Sequence, residues 1–326
     1  MLRLIFLAGG LVVFVWLFVD LGPGAIVEML GRIGWTAVPI ALTYGIYQCL
    51  RARALSACVP SARTLRFSDA LWIRLSGEAV QFLTFTGPFL AEPAKAWLLK
   101  GRGLSAIEGF AATITEYLSY TFTAAFLSIA AISWLLAHDA LSGGNRVAGI
   151  VIIWIMAAFL ISGTVAIYLR IHLLGAILER IAALPLVRRR LKPNMADVHR
   201  VEDLLLDVMH DRPGRFASIL AMEAASHALH IFELFLILLA LELGTGIGTA
   251  ALIEGASKFI GLAFFFIPGQ VGASEGARTI IFEAVGLSAV AGFTVPFVRR
   301  IRSIVVAAAG LASMSVLSRS HHEKRP

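Results

Sequence analysis

The chain has 326 residues, of which 58% are hydrophobic and 15% charged, and its mean hydropathy is +0.83. That balance excludes an ordinary soluble domain, where roughly a quarter of residues are charged. The net charge of +7 does not signal nucleic acid, because the basic residues sit in short clusters beside apolar stretches, and two cysteines, Cys49 and Cys58, make neither a disulfide framework nor a cysteine metal centre.

A hydrocarbon core about 30 Å thick requires roughly 20 apolar residues per helix. Leu4 to Val19 runs into Asp20-Leu21-Gly22-Pro23 without a small-residue cleavage pattern, so it is read as an uncleaved first span. Trp35 to Leu50 predicts a second. Phe67 to Leu99 is apolar but broken by Gly87-Pro88 and Pro93, which predicts two half-helices about a non-helical tip. Ala106 to Ala137 and Val147 to Leu169 predict two further spans. Residues 170–216 form a basic connection in which Met195, Val198, Val201, Leu205, Val208 and Met209 recur at helical spacing, as on a surface helix. Ala217 to Leu241 is a fifth span; Ile247 to Gly286 is broken at Pro268-Gly269 and Gly272; Ala289 to Leu317 is the sixth.

Lys and Arg gather on the cytoplasmic side of short loops. If both broken regions return to the side they entered from, Arg51, Arg53, Arg63 and Arg66, Lys100 and Arg102, the 170–216 connection with Arg188 to Lys192, and the tail Arg319, Lys324 and Arg325 all fall inside. The expected fold is an all-α integral membrane protein with about six transmembrane helices and two re-entrant helical hairpins. It forms a single polytopic domain over 1–326, with inverted halves of roughly 1–137 and 147–317 and both termini cytoplasmic. Inverted repeats with broken helices at matching positions are a transporter architecture. The absence of a lipidation motif makes a bacterial inner membrane the expected location.

Ionisable side chains at membrane depth are expensive and mark functional sites. The first broken region carries Arg74, Glu78, Gln81, Glu92 and Lys95; the helix after it carries Glu116; the second broken region carries Glu254, Lys258, Gln270, Glu275, Arg278 and Glu283. Ser303 to Leu317 alone would be too short to span easily, so the last helix is expected to start near Ala289, setting Arg299, Arg300 and Arg302 roughly 15 Å in; a short last helix whose arginines snorkel to an interface is the alternative. Arginine pairs bidentately with phosphate, so these three are candidates to escort an anionic headgroup. Gly87, Pro88, Pro93, Pro268, Gly269 and Gly272 are the expected hairpin tips. Glu92 and Glu275 beside them have an alternative role as helix N-terminal acids. Glu223, His227, His230 and Glu233 share one helix face. A polar face lining a cavity is the first reading and a metal site the alternative, since no second histidine-rich helix supplies further ligands.

Gly77-Glu78-Ala79-Val80-Gln81-Phe82-Leu83-Thr84, followed by Gly87-Pro88 and Glu92-Pro93-x-Lys95, resembles a hallmark of the flippase-like transmembrane region of lysylphosphatidylglycerol synthases and their stand-alone relatives. So does Ile267-Pro268-Gly269-Gln270-Val271-Gly272-Ala273-Ser274-Glu275-Gly276 with Arg299-Arg300-x-Arg302, and the branch associated with hopanoid biosynthesis is the most similar. Two departures stand out: Leu90-Ala91-Glu92 replaces a frequent Gly-Gly-Glu, and the Asp-Arg pair frequent near Thr115-Glu116 is missing. The resemblance implies a lipid flippase or transporter in which Glu78, Gln81, Glu92, Lys95, Glu116, Gln270, Glu275, Arg278, Arg299, Arg300 and Arg302 line a central cavity for a phospholipid, glycolipid or hopanoid-type lipid. The expected partners are membrane lipids with anionic or polar headgroups, and further copies of the chain or lipid-synthesis enzymes. No nucleic acid, no cofactor and no enzymatic activity are expected. The soluble aminoacyl-transferring domain and the phosphate-loop motif of nucleotide-driven pumps do not occur. A lipid-modifying membrane enzyme and a non-catalytic scaffold are the alternatives.

Overall fold

The computed structural model describes residues 19, 24, 27–28, 31–60, 64–83, 88–183, 194–259 and 273–322. Residues 4–18 of the first expected span, Arg63, the tip residues Gly87, Pro268, Gly269, Gln270 and Gly272, the run Arg188 to Lys192, and Lys324 and Arg325 lie outside them. Among the described residues eleven α-helices follow a short 3-10 turn: α1 (Ala37–Cys58), α2 (Phe67–Leu83), α3 (Pro88–Lys100), α4 (Ala106–Ala137), α5 (Gly143–Tyr168), α6 (Leu173–Ala183), α7 (Met195–Met209), α8 (Pro213–Ala240), α9 (Ile247–Ser257), α10 (Ala273–Ala284) and α11 (Ala289–His322).

By length and composition α4, α5 and α8 are apolar enough to cross a membrane. The 32 residues of α4 extend about 48 Å at 1.5 Å per residue, more than a hydrocarbon core requires. α5 leaves Trp154, Ile155, Ile161 and Val165 exposed, a surface that belongs against lipid. Local chemistry sets several boundaries. Ser105 and Glu108 form a capping box at the start of α4, the Glu108 N–H donating to the serine hydroxyl at 3.2 Å and the Ser105 N–H to the carboxylate at 2.6 Å. Arg215, in the first turn of α8, donates from Nε to the Ala57 carbonyl at 2.6 Å and from Nη2 to the Val59 carbonyl, closing the end of α1.

Both regions that the sequence breaks with glycine and proline are indeed pairs of helices, α2 with α3 and α9 with α10, packed against each other. Pro88 opens α3, where a missing N–H costs nothing. Pro93 is corrected from a tip residue to a helical one. It lies inside α3, where one absent hydrogen bond close to the helix start is tolerated.

Packing places the polar residues. The start of α1 meets the end of α8 in one apolar core, with Ile40 among Leu234, Ile237, Leu238 and Leu241. The end of α1 meets the start of α8 in another, with Leu55 and Cys58 beside Ile219 and Val208. The two helices therefore run antiparallel. Between the two cores their facing sides are polar: Tyr44, Tyr47, Gln48 and Arg51 on α1, and Glu223, Ser226, His227 and Glu233 on α8 are buried there.

Each helix pair also packs on a long helix distant in the sequence, α2 on α11 and α9 on α4. Both contacts are glycine-close. The Ser76 hydroxyl of α2 donates to the Gly310 carbonyl of α11 at 3.3 Å, and the Ser128 hydroxyl of α4 donates to the Gly255 carbonyl of α9 at 2.9 Å. Small residues that let backbones touch, with a hydroxyl bond between them, are how helices associate in lipid. A methyl group on Gly310 would lie 2.2 Å from the Leu75 carbonyl oxygen and 2.8 Å from Ala79 Cβ. Gly310→Ala is therefore expected to separate α2 from α11 and cost about 1–3 kcal/mol, read as a lowered thermal midpoint in detergent; an unchanged midpoint would show that the helices do not meet there.

Candidate functional site

The buried charges divide into two clusters. In the first, Arg51 of α1 donates from Nε to Glu116 of α4 at 2.9 Å, holds the same carboxylate through Nη2, and lies 3.0 Å from Glu223 of α8. Lys95 of α3 reaches Glu116 at 2.9 Å and Glu92 at 2.8 Å. Arg74 and Glu78 pair one turn apart on α2. The lysine stem crosses α2 where Gly77 leaves space, since a Cβ there would lie 2.7 Å from Lys95 Cγ. Glu116, Glu223 and Lys95 are at most 1% exposed. This cluster is closed: each of its three cations is held by acids of the cluster, with four carboxylates to share them.

The second cluster is open. Arg299 of α11 donates to Glu254 of α9 at 2.7 Å and lies 3.3 Å from Glu233 of α8; Arg302 holds the other oxygen of Glu233. Arg300 holds Glu275 in the first turn of α10, and Lys258 reaches Glu254 at 2.7 Å. The Arg302 guanidinium also lies 3.7 Å above the ring of Tyr44, a cation–π contact. These groups wall a cavity of about 290 Å³, room for roughly ten water molecules at about 30 Å³ each. Phe82 at the end of α2, Lys258 just after α9 and Ser274 at the start of α10 all line it, so the cavity lies where the two hairpins approach each other.

Lys258, Arg278, Arg299, Arg300 and Arg302 face this space with one acid, Glu254. Adding Glu233 and Glu275, which hold Arg299, Arg302 and Arg300, gives five cations against three carboxylates, an excess of two positive charges. Among the described residues Arg278 makes no hydrogen bond or ion pair. Tyr120 connects the clusters: its ring is 3.9 Å from the Arg51 guanidinium and 5.7 Å from the Lys258 ammonium, and it lines the cavity.

The expected single site is thus divided. Arg278, Arg299, Arg300 and Arg302 border the cavity and Glu275 stands behind it; Glu78, Glu92, Lys95 and Glu116 belong to the closed cluster instead; Gln81 is exposed. Arg51, read from the sequence as a loop charge, is a buried residue of α1, whereas its neighbour Arg53 is exposed. Glu223, His227, His230 and Glu233 follow one side of α8 and do not converge as metal ligands. Among the described residues the converging group is His172, His199 and Glu202, with ligand atoms within 4.8 Å of one another. There Glu202 already accepts the N–H groups of Leu174 at 2.6 Å and Gly175 at 3.1 Å, capping α6.

A family model of the lysylphosphatidylglycerol synthase transmembrane region matches residues 1–310. The chain belongs to this family. No curated protein and no solved structure matches it. Membership of the lysylphosphatidylglycerol synthase transmembrane family, with the apolar helices, makes this a multi-pass membrane protein related to lipids. The Gly77-Glu78 pair and the Glu92-Pro93-x-Lys95 run then gain a physical reason: the glycine makes room for the lysine, and both acids hold cations of the closed cluster.

Proposed function

We propose that the protein takes the headgroup of an anionic membrane lipid into the cavity between the hairpins and passes the lipid, chemically unchanged, from one leaflet to the other. Among the described residues, the excess of two positive charges and an Arg278 with no hydrogen bond or ion pair carry this reading. Buried cations without counter-charge are costly, and a phosphate accepting charge-assisted bonds from guanidinium groups supplies the missing charge. The start of α10 adds backbone N–H groups at the same place. The tails stay in the hydrocarbon while the headgroup crosses.

Alternation between leaflets is supported by the reciprocal packing of α2 on α11 and α9 on α4, which fits two inverted halves with the site between them. In this reading the protein sits in a bacterial inner membrane with both termini in the cytoplasm. The sequence has no phosphate-loop motif, so exchange follows an ion or lipid gradient.

Leaflet exchange in proteoliposomes tests the proposal. Labelled phosphatidylglycerol is expected to cross faster than labelled phosphatidylcholine, and Arg300→Ala and Glu275→Gln are expected to slow it while the purified proteins keep a cooperative thermal transition. A lipid that returns with altered mass would make the protein an enzyme. Exchange no faster than in protein-free vesicles would leave a scaffold.

A further inference from the structure

One polar column meets the headgroup site only at one end, through His230 and Glu233. Glu223, His227, His230 and Glu233 follow one face of α8 over about 15 Å of rise at 1.5 Å per residue. α8 is 28 residues long and the four occupy its middle, the part at the depth of the hydrocarbon. Glu223, His227 and Glu233 are buried, and the His230 side chain is 12% exposed where it lines the cavity.

Among the described residues Glu223 Oε1, His227 Nδ1 and His230 Nδ1 have no hydrogen-bond partner, while Glu223 Oε2 and Glu233 Oε2 are held by ion pairs alone, 3.0 Å from Arg51 Nε and 3.3 Å from Arg299 Nη2. A column built only to hold helices together would satisfy such atoms internally, because leaving them bare is costly. A column that carries protons keeps acceptors open along its length, as Glu223, His227 and His230 do, and Glu233 gains one when its arginines move away. The other imidazole nitrogen of His227 is engaged, with Nε2 3.2 Å from the Tyr120 carbonyl oxygen and 3.0 Å from the Thr123 hydroxyl, which leaves Nδ1 as the basic atom.

The neighbours fit the two ends of a path. Around Glu223 stand Arg51 of α1, Arg74 and Glu78 of α2, Lys95 and Glu92 of α3 and Glu116 of α4. Three cations against four carboxylates leave one acid without a counter-charge, a place for a proton. In the middle, His227 faces Tyr120 of α4, and His230 faces Tyr44 and Tyr47 of α1, with Glu254 of α9 and Lys258 beyond it. At the far end Glu233 is held by Arg299 and Arg302 of α11. α7 meets α8 through the apolar contact of Val208 with Ile219.

We infer that this column is a proton path between the closed cluster and the headgroup cavity. A proton bound by Glu223 passes to His227 Nδ1, then to His230 Nδ1, then to Glu233. Each station returns to its starting state as it gives the proton up, so one proton entering leaves one in the cavity. Chains of Glu and His serve this purpose in pumps and transporters. The path names a coupling ion for the proposed lipid exchange and rests on that reading for its purpose. A headgroup phosphate that draws Arg299 and Arg302 from Glu233 leaves that carboxylate free to take the proton, which links the two movements.

The experiment places the full chain in phosphatidylglycerol–phosphatidylcholine vesicles filled with a pH-sensitive dye, imposes a proton gradient with the membrane potential clamped, and follows labelled phosphatidylglycerol in the same vesicles. Proton entry above the protein-free rate is expected for the natural protein. Glu223→Gln and His227→Gln should return entry to the protein-free rate, while Glu223→Asp, which keeps the acid, should retain it; phosphatidylglycerol binding by the His227→Gln protein shows that it is folded. Proton entry lost in the two Gln variants supports the path even if no lipid crosses. Lipid exchange without proton entry overturns the path and leaves the lipid reading standing. Equal proton entry in all variants, or none in any, overturns it as well.

Discussion

Glu116→Leu is expected to cost about 3–5 kcal/mol, a large part of the roughly 5–15 kcal/mol that holds a protein folded. The carboxylate is wholly buried and receives both Arg51 and Lys95. Leucine would leave those cations with Glu223 and Glu92 as their remaining counter-charges, in a part of the molecule closed to water. The loss should appear as a sharply reduced yield of monodisperse protein and a lowered thermal midpoint. Glu116→Gln, which still accepts from Arg51, should lose less. Combining Lys95→Met with Glu116→Leu removes one of the stranded cations and should regain part of the loss. A Glu116→Leu protein as stable as the natural one would show that Arg51 and Lys95 are solvated and that the cluster is not closed.

Arg278→Gln is expected to act in the opposite manner, leaving the fold and removing the ligand. No carboxylate depends on Arg278 among the described residues, so its loss strands nothing. A hydrogen bond to a charged group contributes about 1.5–3 kcal/mol, so the affinity for an anionic headgroup should fall roughly 10- to 150-fold. Titration with short-chain phosphatidylglycerol measures this, and the thermal midpoint without lipid should stay where it was. Arg299→Gln gives the contrast: it also leaves Glu254 and Glu233 short of a partner, so stability and binding should fall together. Unchanged affinity in the Arg278→Gln protein would remove the headgroup from this cavity.

The helices were legible because apolar runs, Gly-Pro breaks and caps are local. α4 follows its expected bounds, Ala106 to Ala137, and the last helix, α11, begins at Ala289, where the sequence puts its start. What local pattern does not determine is rotation and partnership. Gln81 shares a motif with Glu78, yet it is exposed while Glu78 pairs with Arg74. Arg51 looks like its neighbour Arg53, and what distinguishes it is a carboxylate 65 residues further along the chain. The division of the charges into a closed set and an open set likewise depends on tertiary neighbours. Lys95 and Arg278 are both cations of broken helices, but only Lys95 meets an acid from another helix. Only once the sets are assembled do their charges show the difference among the described residues, four acids against three cations in the first and five cations against three acids in the second.

The arginines of α11 also bear on how the chain enters the membrane. On insertion scales an arginine at the centre of a helix costs about 2.5–3.5 kcal/mol, so three unpaired arginines such as Arg299, Arg300 and Arg302 would oppose entry of a segment that carries them at its centre by roughly 7–10 kcal/mol. The carboxylates that receive them, Glu233 on α8, Glu254 on α9 and Glu275 on α10, all precede α11 in the sequence and are synthesised first. The order of synthesis is therefore the order of need. The acids of α8, α9 and α10 wait for their bases, and α11 is stabilised by docking on helices already made.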